Sequence, residues 1–262
     1  MRAGLARAAT RGRDTPFWLW LNVLSLDAPL VALVWQDFLA RCYPPVMPAP
    51  AARFALFLSV WAIYIADRLI DVRAPAAENE TMRHRFYRQN GAFARTLLGV
   101  VALAGVVASV LWLPSIVLKN GLVTGAMVVC YMAIFPFRRL GMEWKQPCAA
   151  MVFTIGVFLV AGSETADAWR ILAVPALAFG ALCLGNMVLT ERWEHGGASA
   201  WVRPCLVILA FVCAAAGHSR WYSVVAANAA ALAAVDYYRG AVPRDARGVL
   251  ADLVLLTPLL LR

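Results

Sequence analysis

The chain has 262 residues, 62% of them hydrophobic and only 15% charged, with a formal net charge of +9 and a mean hydropathy of +0.69. A soluble domain carries about 45–50% apolar and about 25% charged residues, so an ordinary soluble fold is excluded and an integral membrane protein is expected. In such a chain the basic excess reports first on membrane sidedness, and nucleic acid is not expected as a partner.

The chain opens with MRAGLARAATRGRD, four arginines without an apolar core, which reads as a basic cytoplasmic arm over residues 1–16. Apolar runs follow at about 17–40, 53–66, 92–113, 116–135, 147–162, 171–190, 202–217, 221–238 and 248–261. Each is read as a helix, because lipid offers no partner to an unpaired backbone. The expectation is an all-α polytopic membrane helix bundle of about nine transmembrane helices, forming one transmembrane domain over 17–262.

With the N-terminus inside, the inner connections hold Arg68, Arg73, Arg83, Arg85, Arg88, Arg138, Arg139, Lys145, Arg192, Arg239, Arg244 and Arg247, besides the arginines of the arm. The outer turns hold far fewer, Arg41, Arg53, Lys119, Arg170 and Arg220, and one of them, GSETADAW, is acidic. This asymmetry predicts a multi-pass protein of the cell (inner) membrane with a cytoplasmic N-terminus. The six cysteines, Cys42, Cys130, Cys148, Cys183, Cys205 and Cys213, form no CxxC pair and are expected to pack in the core.

Asp67 and Asp71, in WAIYIADRLIDV, share one face at the end of the second run, where two like charges repel. Something positive should stand between them: Arg68 or a neighbouring arginine on one reading, a divalent cation on the other. A second acidic pair, Glu191 and Glu194 in LTERWEHGG, ends the sixth run on the same side. Between the pairs lie RHRFYR (Arg83, His84, Arg85, Arg88) and FPFRRLGMEWKQ (Arg138, Arg139, Lys145). Carboxylates that hold Mg²⁺, with arginines and a lysine to receive phosphate oxygens, are what a diphosphate site requires. The basic residues are equally explained by topology alone.

These segments resemble the UbiA-superfamily intramembrane prenyltransferases. DRLID at 67–71 looks like the later part of that family's first aspartate-rich motif. FPFRR with Lys145 is similar to its loop between the fourth and fifth helices, and LTERWEHGG stands where its second motif falls. Carried over residue by residue, the family's leading Asn-Asp falls on Ile63 and Tyr64. Thr190 takes an Asn position, and Glu191 and Glu194 replace aspartates. The resemblance implies a UbiA-like fold and Mg²⁺-dependent transfer of a prenyl group from a prenyl diphosphate to a lipophilic acceptor. It implies that Asp67, Asp71, Glu191 and Glu194 act as metal-binding catalytic residues. Arg68, Arg83, Arg85, Arg88, Arg138, Arg139 and Lys145 would bind the substrate.

Asp27 and Asp252 lie inside apolar runs, where an unpaired charge costs about 2.5–3.5 kcal/mol, so each must be paired, protonated or facing a wet cavity. His84 and His195 are read as interfacial loop histidines. Asp236 with Tyr237 and Tyr238 is read as an interface anchor, and the ten tryptophans as belts and cavity lining. Two rival functions stay open: a non-catalytic UbiA-like membrane protein that binds an isoprenoid or other lipid, suggested by Ile63 and Tyr64, and a small transporter, suggested by Asp27 and Asp252.

Overall fold

A computed structural model describes residues 17–43, 48–73, 81–134, 144–165, 167–196, 200–217 and 219–261, and among these it is helical with no strand. A 3₁₀ turn, Phe17–Leu19, runs into α1 (Trp20–Val23). There follow α2 (Asp27–Cys42), α3 (Pro50–Asp71), α4 (Met82–Gln89), α5 (Gly91–Trp112), α6 (Ser115–Ile134) and α7 (Lys145–Gly162). The chain continues through α8 (Ala168–His195), α9 (Val202–Ala215), α10 (Arg220–Tyr237) and α11 (Arg244–Leu255), with 3₁₀ turns at Arg239–Ala241 and Thr257–Leu261.

The helix ends follow local chemistry. Pro50 starts α3, where a missing N–H costs nothing. Thr81 caps α4 by accepting the His84 N–H, and Ser219 caps α10 by accepting the Trp221 N–H. Gly196, at φ +69°, ends α8 in the left-handed region.

One apolar run is broken where continuity was expected. Within 17–40 the helix stops at Val23 and restarts at Asp27, around Ser25 at φ +56°. A non-glycine residue there costs local strain, and surrounding contacts must hold it. Ser25 is buried, with its hydroxyl 3.1 Å from the Tyr87 hydroxyl of α4. The last run is divided too, between α11 and the turn Thr257–Leu261.

Among the described residues, four helices are long and apolar enough to cross a membrane: Gly91–Trp112, Ser115–Ile134, Lys145–Gly162 and Ala168–Glu194. On α5 and α6, Leu103, Val110, Leu111, Leu122, Val123 and Val129 point outward. Such faces belong in lipid, since water would penalise so much exposed hydrocarbon.

The interior is aromatic. Trp35 of α2, Trp221 of α10, and Phe158 and Phe179 of α7 and α8 are fully buried and pack ring on ring, with Trp35 and Trp221 centroids 5.2 Å apart. Each indole N–H finds a carbonyl: Trp35 Nε1 donates to Leu255 O at 2.8 Å, and Trp221 Nε1 to Pro175 O at 3.2 Å. These two tryptophans are core residues, neither belt nor cavity lining. Close approach of α9 to α8 occurs at Gly185, where a Cβ would stand 2.6 Å from Leu206 Cδ2. All six cysteines are free; Cys183 and Cys213 are buried as expected, whereas Cys130 and Cys205 face outward.

Candidate functional site

The C-terminal end of α3, the start of α7, the short α4 and the C-terminal end of α8 meet at one end of the bundle. They bring the two acidic pairs into one electrostatic neighbourhood. Arg68 Nη1 lies 2.8 Å from Asp71 Oδ2 and 3.6 Å from Asp67 Oδ2. Lys145 Nζ, from α7, stands 3.6 Å from Asp67 Oδ1 and 3.4 Å from Asp71 Oδ1. The positive charge expected between Asp67 and Asp71 is therefore supplied by two side chains, one local and one from the far side of the sequence.

The second pair joins through the same cations. Arg68 feels Glu194 as well as Asp67 and Asp71, and Lys145 feels Glu191. Arg83, on α4, donates from Nη2 to Glu194 Oε1 at 2.7 Å, tying α4 to the end of α8. His84 is not solvated freely as expected. Its Nδ1 lies 2.8 Å from the Thr81 hydroxyl and its Nε2 faces Asp71 Oδ2 at 3.9 Å. Burial works to raise the Asp71 carboxyl, but the His84 hydrogen bond, Arg68 and Lys145 outweigh it and hold that carboxyl well below the ordinary carboxylate range.

The other basic residues divide. Arg88 donates from Nη1 to Val72 O at 2.8 Å, satisfying a carbonyl just past the end of α3, and Arg85 is exposed. Arg138 and Arg139 lie outside the described residues, as does the side chain of His195. Tyr64, at a position where the resemblance expects a carboxylate, feels the charges of Asp27, Asp252 and Arg68.

Beside this cluster is a narrow cleft of about 20 Å³, partly open to solvent, lined by Asn22, Thr81, Arg83, Thr190, Trp193 and Glu194 among others. Arg68 Nε and Arg83 Nε are buried and have no hydrogen-bond acceptor among the described residues. Two buried guanidinium N–H donors without acceptors suit a ligand rich in oxygen. Asn22 and Thr81 were not singled out from sequence. Asn22 lies five residues before Asp27, and its Nδ2 donates to Asp27 Oδ2 at 2.6 Å.

The two aspartates expected inside apolar spans, Asp27 and Asp252, both find hydrogen-bond donors. Asp27 accepts from Asn22 and from the Ala28 N–H at 2.9 Å, and Asp252 accepts from Asn186 Nδ2 at 3.4 Å.

The donor set does not fit a resident Mg²⁺. Among the described residues no three His, Cys, Asp or Glu side chains gather closely enough to hold a metal ion, and Asp67 and Asp71 already face Arg68 and Lys145. An octahedral ion needs its ligands within about 2.1 Å, and an ammonium standing between two carboxylates takes that place. What the arrangement offers chemically is a set of cations, held by carboxylates, with unspent N–H donors facing inward.

Compared with known proteins, the chain gives no match to any family model, to any curated protein or to any solved structure.

Proposed function

We propose that the chain is a UbiA-like membrane transferase of about nine spans that moves a prenyl group from a prenyl diphosphate to a lipophilic acceptor. The observation that carries this reading is the pair of buried, acceptor-free Nε–H groups on Arg68 and Arg83. Each guanidinium is held by one of the two acidic pairs, and Arg83 lines the cleft. Phosphate oxygens accept such N–H groups strongly. As the carbon–oxygen bond to the prenyl group breaks, negative charge grows on the departing diphosphate, and preorganised guanidiniums stabilise that charge more than the ground state. The acceptor forms the new bond to the prenyl carbon and gives up its proton. Asp67, Asp71, Glu191 and Glu194 position Arg68, Lys145 and Arg83 in this reading, and no step is assigned to a resident metal.

A second reading, a non-catalytic UbiA-like binder of an isoprenoid or other lipid, is favoured by Lys145 bridging Asp67 and Asp71, an arrangement complete without a metal. Both are tested by titrating the purified protein with farnesyl diphosphate, with and without EDTA, while release of pyrophosphate is followed in the presence of a membrane lipid extract. Transfer predicts binding that Arg68→Gln and Arg83→Gln each weaken about tenfold, together with pyrophosphate release. Binding without release identifies the non-catalytic reading. Binding that neither substitution changes removes the ground for both.

A further inference from the structure

At the same end of the bundle, on another side of α8, a second basic cluster surrounds one carboxylate. Asp236, near the end of α10, was expected to sit at the interface, yet its side chain is fully buried. Its Oδ1 accepts from Trp193 Nε1 at 3.0 Å and from Arg239 Nη1 at 3.0 Å. Arg192 Nη1 approaches Oδ2 at 3.5 Å and Arg203 Nη1 at 4.0 Å. Three guanidiniums from three helix ends thus converge on a single negative charge. Arg203 and Arg239 have no other carboxylate among the described side chains, and their side chains are 47% and 40% exposed. One carboxylate cannot neutralise both, so uncompensated positive charge faces outward here.

What lies next to that charge is hydrocarbon. Arg203 is in the first turn of α9, and Val207 and Phe211 follow it at four-residue intervals on the same helical face, both exposed. The Arg203 guanidinium sits over the Tyr237 ring, 5.7 Å from its centroid, and Tyr237, Tyr238 and Trp201 are all exposed. Aromatic side chains beside arginines at the end of an outward apolar helix mark the level where headgroups meet acyl chains. A free anion would use the guanidiniums but not the Val207–Phe211 stripe. A lipid uses both.

We propose that Arg203 and Arg239 form a site for the phosphate of an anionic phospholipid, whose acyl chain lies along Val207 and Phe211 of α9. Asp236 is the positioning residue: buried and held by Trp193, it fixes the two guanidiniums without cancelling their charge. The ligand is a structural lipid of the leaflet at this end of the bundle, and neither Arg203 nor Arg239 lines the cleft beside Arg83.

The test is the thermal midpoint of the detergent-purified chain with phosphatidylglycerol, with phosphatidylcholine of the same acyl chains, and with glycerol phosphate. Phosphatidylglycerol is expected to raise the midpoint by about 3 °C, and the other two probes to leave it unchanged. The variant Arg203→Gln/Arg239→Gln is expected to lose that rise. Arg203→Lys/Arg239→Lys should keep about half of it, and Arg170→Gln, at the other end of α8, all of it. Should the double Gln variant not accumulate, Arg203→Gln alone is read in the same way. An equal rise with phosphatidylcholine, a rise reproduced by glycerol phosphate, or a rise undiminished in the Gln variants overturns the proposal. Farnesyl diphosphate binding is followed in the same samples and is expected to be unchanged, so failure here is distinguishable from failure at the cleft.

Discussion

Lys145 Nζ stands 3.4 Å from Asp71 Oδ1, joining the first residue of α7 to the last residue of α3. The side chains are both 24% exposed, so this ion pair is more shielded than one on an open surface and less costly to form than one in a dry core. A double-mutant cycle on thermal stability with Lys145→Met, Asp71→Asn and the combination should show coupling of about 0.5–2 kcal/mol. Additive losses would mean that the two groups are neighbours without being partners.

Acid should reveal the same carboxylate. The folded-state value of Asp71 is depressed, so its contribution is fully present above the unfolded carboxyl value of about 4 and is lost as pH falls below that. In unfolding scans from about pH 6 down to about pH 3, the protein should lose stability on the acid side, and Asp71→Asn should lose less over the same interval. Parallel curves for the two proteins would remove Asp71 from the acid response.

The core makes a separate prediction. Leu255 is the last residue of α11, and its carbonyl is one of those a helix end leaves without an intrahelical donor. Trp35 Nε1 fills that role from within the core. Trp35→Phe keeps most of the apolar contact but removes the donor, and it should cost about 1–3 kcal/mol in thermal or denaturant unfolding. A loss no larger than that of an exposed substitution such as Phe54→Leu would show that water satisfies the carbonyl.

Much of this architecture is legible in the sequence because apolar runs and helix ends are local signals. Asp67, Asp71, Glu191 and Glu194 all fall at helix ends that meet, which run length and alternation of sides already imply. The partners were less legible. That Lys145 bridges Asp67 and Asp71 depends on how α7 docks against α3, and nothing in GMEWKQ encodes that distance. Asp236 followed by two tyrosines reads as interface, and only the fold shows Trp193, Arg192 and Arg203 closing over it. Trp35 and Trp221 were indistinguishable from belt residues because in helices apolar on every face periodicity no longer marks the buried side. The break at Ser25 carries neither glycine nor proline, so no punctuation announced it.

The expected sidedness rests on the basic asymmetry, and the 28 residues of α8, about 42 Å of helix, are long enough to cross a bilayer. In a cysteine-free background, single cysteines at Arg73 and Ala200, both exposed, should be shielded from an impermeant thiol reagent in intact cells. A cysteine at Glu164, beyond the opposite end of α7, should react. The reverse pattern would place the acidic cluster outside and invert the topology.

The sharpest prediction concerns the two acidic pairs together. Asp67 acts on Arg68 and Lys145, Glu194 on Arg68 and Glu191 on Lys145, so a ligand that depends on those two cations senses both pairs through the same groups. Asp67→Asn and Glu191→Gln should each weaken farnesyl diphosphate binding by letting Lys145 and Arg68 lose their alignment. The combined variant should lose less than the sum, because a cation already misplaced by the first change cannot be misplaced again to the same extent. Coupling of at least about 1 kcal/mol is expected for side chains sharing partners in one network. Strict additivity would assign the pairs to separate sites, and the reading of this end of the bundle as one diphosphate pocket would fall with it.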